Sequence, residues 1–334
     1  MYLSQKVNGN TFLSRLTDVN VCGVLHVKTK YKVMTKPVIY TSEWLRTTQK
    51  TAGVAKAIFA ALDEQKVEHR ELLNTNDYWC RDYMPVKLFD DGTYAKYEYR
   101  PDYLYDDKKE RKFITKQKDA CSELQLFTPT DMNIVFDGGN YVRCGNKVIM
   151  TDKILMENPN RPLDELFQHL RHSLCADIIL LPWDMDDKCG HADGMVAALN
   201  DERILLNSCW KHDFPEFHKR LLKLLDPHFD VVELSYDCKP DKDSWCYLNY
   251  LQVPGAILLP CLSEHADSAN DRAAIKTFKQ IFPHLEIIPI YAQPLIVDGG
   301  AIHCVTWEYI EHKGQSLPSN ERLKKRKEYG GYSK

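Results

Sequence analysis

One short pattern recurs through the chain at an almost fixed spacing, and that recurrence limits the possible folds more than any composition figure does. The segments "NDYWCRDYMPVKLFDDGTYAKYEY", "FDGGNYVRCGNKVIMTD", "KCGHADGMVAALNDERILLNSC" and "SWCYLNYLQVPGAILLPC" share one grammar. Each begins with a polar or glycine-rich cluster, runs into a short apolar strand, turns at DDG, GN, NDE or PG, and returns as a second apolar strand. This is the signature of a β-hairpin with a polar mouth. The segment "VDGGAIHCVTW" at 297–307 opens in the same way, inside what reads as a buried strand. One marker from each cluster, Asp82, Gly138, His191, Tyr247 and His303, gives separations of 56, 53, 56 and 56 residues. A near-constant period of that size indicates internal repetition.

The spaces between hairpins repeat too, each reading as a helical stretch followed by an apolar strand. "PLDELFQHLRHSL" leads to IILLP, "FPEFHKRLLKLL" to VVELS, and "SANDRAAIKTFKQIF" to EIIPI, with apolar residues three and four apart in the helices. Asp164 and Glu165 stand near the start of the first, and Ser268 is a candidate N-cap for the third. The predicted unit is therefore ββαβ, repeated about five times, with the helix "TTQKTAGVAKAIFAALDEQ" and the strand "HRELLNT" opening the series. Five such units close most simply into a ring, which leaves no open sheet edge and turns every mouth toward one centre. A plain parallel α/β sheet would not account for hairpins at a fixed spacing. Residues 1–35 fit the repeat poorly, and 320–334 form a basic, glycine-bearing tail that reads as a solvated end. With no interior linker, the expectation is one domain over 1–334, its repeating core at about 36–315.

Composition narrows the partners. The formal net charge of −3 argues against a nucleic-acid protein, which needs a basic face, and suits a small cationic guest instead. Residues 1–14 hold no apolar signal core, and no apolar run approaches membrane-spanning length, so a cytoplasmic, non-membrane protein is expected. Eleven cysteines without a CxxC pair fit a reducing compartment and disfavour disulfides or a structural zinc site. Neither a metal nor a cofactor is expected. A homodimer is the default for a soluble enzyme.

If the mouths converge, one pocket collects Trp79, Arg81 and Asp82; Asp137 and Asn140; His191 and Asp193; Tyr247 and Asn249; and Asp298, His303 and Cys304. Taken singly these residues say little. Asp82 could be a solvated strand end, His191 of "GHADG" a hydrogen-bonded loop histidine, and Cys304 one more buried thiol. His191 and Asp193, two apart on an expected strand, would face the same side. Together the set offers carboxylates that can grip a planar, forked guanidinium by two-point hydrogen bonds, with a thiol beside its electron-poor carbon. The pairs Gly138-Gly139 and Gly299-Gly300 lack phosphate-loop spacing and read as places where a flat group can approach the backbone closely.

The motifs "NDYWCRDYMP", "DGGN", "GHADG", "YLN" and "DGGAIHCVT" resemble, in order and spacing over about 75–307, those of the agmatine deiminase and bacterial-type peptidylarginine deiminase family of guanidino-modifying enzymes. The resemblance implies a five-bladed α/β propeller with pseudo-fivefold symmetry, in line with the ββαβ repeat, and cofactor-free hydrolysis of a guanidine to a ureido product. By motif it implies Cys304 as nucleophile, His191 as general acid and base, Asp82 and Asp193 as the guanidinium-gripping carboxylates, Trp79 against the substrate and Asn249 in the pocket wall. Asp137 and Asn140 would join the substrate-binding set. Met84 stands where the family has glycine, Asp137 where it has glutamate, and Trp307 and Glu308 replace polar residues after the cysteine, departures expected to reshape the outer pocket. An amidinotransferase, a dimethylarginine-type hydrolase, or a non-catalytic guanidine binder would use the same scaffold.

Overall fold

The computed structural model describes residues 37–310, apart from positions 91, 123, 125–126 and 185–186. Residues 1–35, the end of the expected core at 311–315 and the tail at 320–334 lie outside the described residues.

Among the described residues fifteen strands form five sheets of three. In four of the sheets a hairpin supplies an antiparallel pair, and a crossover adds a third strand parallel to the middle one. Val86–Lys87, Thr93–Glu98 and Phe127–Val135 make one such sheet. Val142–Cys144, Lys147–Thr151 and Asp177–Leu181 make the next, followed by Val196–Ala198, Arg203–Asn207 and Asp230–Leu234, and by Leu251–Val253, Ala256–Cys261 and Glu286–Tyr291. The remaining sheet joins the two ends of the repeat: Trp307–Ile310 pairs antiparallel with Pro37–Ser42, which pairs parallel with His69–Leu72. The five sheets stand around one axis as a five-bladed α/β propeller. A cavity of about 900 Å³ runs along that axis, and Lys87, Arg143, Ala197, Gln252 and Glu308, one residue from the inner strand of each blade, all line it.

The repeat is built by local chemistry that the sequence announces. Gly145 and Gly255, at φ +59° and +94°, adopt the left-handed backbone that the tight GN and PG hairpin turns need. The helices at Ala52–Glu64, Leu163–Leu174, Pro215–Leu225 and Ala269–Ile281 each turn one apolar face inward, for instance Leu166, Leu170 and Leu174, or Ala274 and Phe278. Ser268 caps the last of these, its hydroxyl accepting from the Asp271 amide. The crossover from Glu98 to Phe127 departs from the repeat: short turns at Asp102–Tyr105, Arg111–Phe113 and Gln117–Ala120 replace the expected long helix. Its sequence, "RPDYLYDDKKERKFITKQKDACSE", opens with a proline and carries no apolar stripe at helical spacing.

The segment 297–306 is also not the buried strand that its apolar flanks suggest. It runs as consecutive turns after the short helix Gln293–Ile296, and the strand begins only at Trp307. Likewise "GHADG" is no strand: Ala192–Gly194 is a single 3₁₀ turn with His191 just before it. Among the described residues no helix is long and apolar enough to cross a membrane.

Candidate active site

The turns that precede the inner strands meet at one end of the axis, and each delivers a reactive side chain. Asp82 rides on the short helix Cys80–Tyr83, tied down by the Tyr97 hydroxyl, which lies 2.6 Å from the Asp82 carbonyl oxygen and 2.7 Å from that of Met84. Gly138 and Gly139 come next. A side chain at Gly138 would strike the Arg81 carbonyl oxygen at 2.1 Å, and one at Gly139 would strike His191 Nδ1 at 2.4 Å and Asp82 Oδ1 at 2.7 Å. Glycine is required here so that three blades can bring their functional groups together.

His191 is held between two carboxylates. Its Nε2 lies 3.2 Å from Asp137 Oδ2, and its Nδ1 lies 3.5 Å from Asp82 Oδ1. Burial opposes a charged imidazole, but Asp82 first, then Asp137 and Asp193, outweigh it and hold His191 protonated up to about 10. Asp82 moves the other way. Burial, reinforced by Asp137 and Asp193 and only partly offset by His191 and Arg81, pushes it up to about 7. Its Oδ1 is buried without a hydrogen-bond partner, as is Oδ1 of Asp137.

The thiol is organised by amides. Asn249 Nδ2 donates to Cys304 Sγ at 3.2 Å, while its Oδ1 accepts from the backbone amides of Ala301 at 3.1 Å and Cys304 at 3.2 Å. The Asn249 carbonyl in turn accepts from the His303 amide at 3.0 Å. One asparagine thereby fixes the whole 301–304 turn. Asp193 Oδ2 sits 3.9 Å from the sulfur and accepts from His303 Nδ1 at 2.7 Å. Against its burial, that hydrogen bond and the charges of His303, His191 and Arg81 hold Asp193 below the usual carboxylate range. Cys304 is pushed the other way: burial first, then Asp193 and Asp82, raise its thiol well above 9, against the Ala301 and Asn249 hydrogen bonds. Cys304 is therefore held as a neutral thiol.

Cys304, His191, Asp82, Asp193, Asn249 and Asp137 are thus brought into one cluster of two hydrogen-bonded or ion-paired groups, His191 with Asp82 and Asp137 and Cys304 with Asn249 and Asp193, coupled to each other by charge. Trp79 stands at its edge, its indole against the backbone of Gly300, where a side chain would meet Cζ3 at 2.2 Å. The flat group admitted by this glycine is the protein's own tryptophan. Asn140 is buried nearby; its Oδ1 accepts from the Thr151 amide at 2.7 Å, leaving its Nδ2 without a partner.

Two members of the expected mouth lie elsewhere. Tyr247 is fully buried in the core with its hydroxyl 2.8 Å from Asp271 Oδ1, and Asp298 lies outside the cluster, paired with Lys50 at 2.5 Å and Tyr78 at 2.9 Å. Nor do all the family departures reshape an outer pocket. Met84 is core, Trp307 is buried with Nε1 donating to the Pro85 carbonyl, and Glu308 lies 3.5 Å from Lys87; both Trp307 and Glu308 line the axial cavity. That cavity reaches the reactive cluster through Asp193 and His303, while Cys304, His191 and Asp82 are not among its lining residues.

Sequence reading gives His303 no role and misses Tyr103 and Lys153 altogether. Tyr103, from the irregular crossover, lies edge-on to His191 with ring centroids 6.4 Å apart. No repeat marks that crossover, so no sequence signal could have placed it.

The comparisons with known proteins agree with the fold. The family described as Porphyromonas-type peptidyl-arginine deiminase matches residues 32–309. An agmatine deiminase of Pseudomonas aeruginosa (strain UCBPP-PA14) is 24% identical over 308 residues, covering 77% of this chain and 80% of that protein. A Legionella pneumophila (strain Paris) protein, provisionally named an agmatine deiminase, is 26% identical over 211 residues, 56% of this chain and 58% of its own; the chain thus spans little more than half the length of that relative. The fold recurs in the solved agmatine deiminase of C. jejuni, with a TM-score of 0.63 and 16% identity over 83% of this chain and 94% of that one. It recurs also in that of Enterococcus faecalis, with a TM-score of 0.60 and 18% identity over 83% and 93%. The family match over residues 32–309, on a chain with the five-bladed fold, leads to one conclusion: the chain belongs to the Porphyromonas-type peptidyl-arginine deiminase family.

Proposed function

We propose that the protein hydrolyses a guanidine-bearing small molecule to a ureido product and ammonia, without a cofactor, through a covalent intermediate on Cys304. One observation carries this reading: a thiol held by Asn249 beside Asp193, in a cluster where Asp82 offers a buried, unpartnered carboxylate oxygen and His191 is kept protonated. A buried acceptor without a donor is costly, and a guanidinium N–H supplies the donor. The names of the relatives, agmatine deiminases, and of the family, peptidyl-arginine deiminase, support agmatine and arginine derivatives as the first candidates to test.

The chemistry follows from the charges. A guanidinium entering between Asp82 and Asp193 displaces the proton of Asp82 to solvent and offsets the carboxylate charge that adds to burial in holding the Cys304 proton, so that the thiol too releases its proton to solvent on binding. Sγ then bonds to the guanidinium carbon, giving a neutral tetrahedral adduct. His191 donates its proton to one nitrogen, the C–N bond breaks, ammonia leaves and a cationic thiouronium remains. The now neutral imidazole takes a proton from water as the oxygen bonds to carbon. The C–S bond then breaks, the sulfur leaves as the thiol and the ureido product departs. A reducing, cytoplasmic setting suits such a thiol.

The test is release of ammonia and ureido product from agmatine, arginine, arginine peptides and methylated arginines, with Cys304→Ala as control. Turnover of one member that the control lacks supports the reading. Turnover retained in Cys304→Ala, or no turnover of any together with a Cys304 inert to a haloacetamidine probe, overturns it.

A further inference from the structure

Lys153 opens the short helix Lys153–Glu157, directly after the middle strand of its blade, and its side chain is fully buried. Lysine is seldom buried unless its charge is matched. Here Nζ donates to the Cys189 carbonyl at 2.8 Å and lies 3.0 Å from Asp102, 3.5 Å from Glu157 and 3.7 Å from Asp137 Oδ2. The last contact is the informative one, because the same Asp137 oxygen lies 3.2 Å from His191 Nε2. One carboxylate oxygen is therefore shared by a buried ammonium and the imidazole. The Tyr103 ring packs on both, 4.7 Å from Nζ and edge-on to His191.

We infer that Lys153 is a positioning residue that clamps Asp137 and so fixes the orientation and proton affinity of His191. Its consequence for turnover rests on the deiminase reading; its consequence for the imidazole does not. An apolar residue would fill the same space within "VIMTDKILM" at lower desolvation cost, which argues that the charge itself is used. The groups facing this network are Asp82 and Asp193 across the imidazole, Arg81 beyond them, Asp187 at the His191 amide, and Asp102, Glu157, Cys189 and Tyr103 around the ammonium. Lys153 stays charged in this setting: burial works against it, but Asp137, Glu157 and Asp102 outweigh burial. Removing that positive charge makes every remaining member of the network hold its proton more tightly.

The experiment is an NMR titration of the His191 imidazole in the resting, full-length protein, which needs no substrate, alongside the pH profile of kcat/KM. Lys153→Met should raise the imidazole midpoint by roughly one pH unit, and Lys153→Arg should restore it to within a few tenths. In an Asp137→Asn background the Lys153→Met substitution should no longer move it. If Lys153→Met does not fold, Lys153→Gln takes its place with the same expected shift. An identical midpoint in all Lys153 variants overturns the inference whether or not the protein is a deiminase. A shift that persists in the Asp137→Asn background removes Asp137 from it. A shifted midpoint in a protein that turns over no guanidine leaves the inference standing and defeats the functional reading alone.

Discussion

The two halves of the reactive cluster are built by opposite means. Around His191, from the Asp82 and Asp137 blades, the partners are charged: two carboxylates within 3.5 Å, one of them shared with a buried ammonium. Around Cys304, at the joint where the ring closes, the nearest donors are an amide side chain and the backbone it organises. Charge keeps the imidazole protonated, whereas neutral hydrogen bonds hold the thiol in place without ionising it. The difference teaches that the resting protein stores a proton on His191 and keeps Cys304 a thiol, the starting state that the proposed chemistry needs.

The strongest way to break this comparison is to remove the charged half. His191→Asn should lower kcat by about 10²–10⁴, the range for losing a positioned general acid and base, while a resting-state guanidinium ligand still binds through Asp82 and Asp193. Steady-state kinetics with a ligand-binding titration checks this, and a variant that keeps wild-type kcat would remove His191 from the chemistry. A smaller effect should follow from changing the neutral half in kind alone. Asn249→Asp keeps the shape but replaces the donor at 3.2 Å from sulfur by a carboxylate, so it raises the thiol further and should slow alkylation of Cys304 by about tenfold or more. Alkylation as fast as in the wild type would mean that the amide donor does not set the thiol's reactivity.

What the sequence could and could not disclose follows the same division. The hairpins were legible because each joins two short apolar runs through a polar turn, with a glycine or proline in all but the NDE turn, and because the polar clusters recur at a 53–56-residue spacing. Cys304, His191, Asp82, Asp193 and Asn249 were legible because they sit in those copies. Tyr247 occupies an equivalent position and still turns into the core, since Asp271 on a neighbouring helix satisfies its hydroxyl; a repeat marks backbone placement, not the partner a side chain will find. Lys153 and Tyr103 were hidden for the converse reason. They lie between mouths, one at the start of a helix that reads as apolar and one in a crossover without periodicity, and only the closed ring brings them to His191. Strand-like runs misled where glycine and small residues allow turns, at 297–306 and at "GHADG".

The smallest effect is one of stability, and it sharpens the comparison in the resting protein. Asp82 is held protonated up to about 7 and Asp77 and Glu157 up to about 8, chiefly by burial, whereas an unfolded chain has lost those protons near 4. His191 likewise keeps its proton to about 10 in the fold against 6.5 outside it. All four groups have folded values above their unfolded ones, so the stability they contribute is complete at low pH and is lost as pH rises through the folded values. The thermal midpoint should therefore fall between pH 5 and 8. Asp82→Asn should flatten that slope by up to one proton's worth, about 1.4 kcal/mol per pH unit, leaving the remaining fall to Asp77, Glu157 and, above 6.5, His191. A saturating guanidinium ligand should flatten it in the wild type as well, because the ligand supplies the positive charge that lets Asp82 ionise without loss. Thermal unfolding across that pH range, for both proteins with and without the ligand, decides the point: an unchanged slope in Asp82→Asn would mean that this carboxylate ionises in the fold as it does in water.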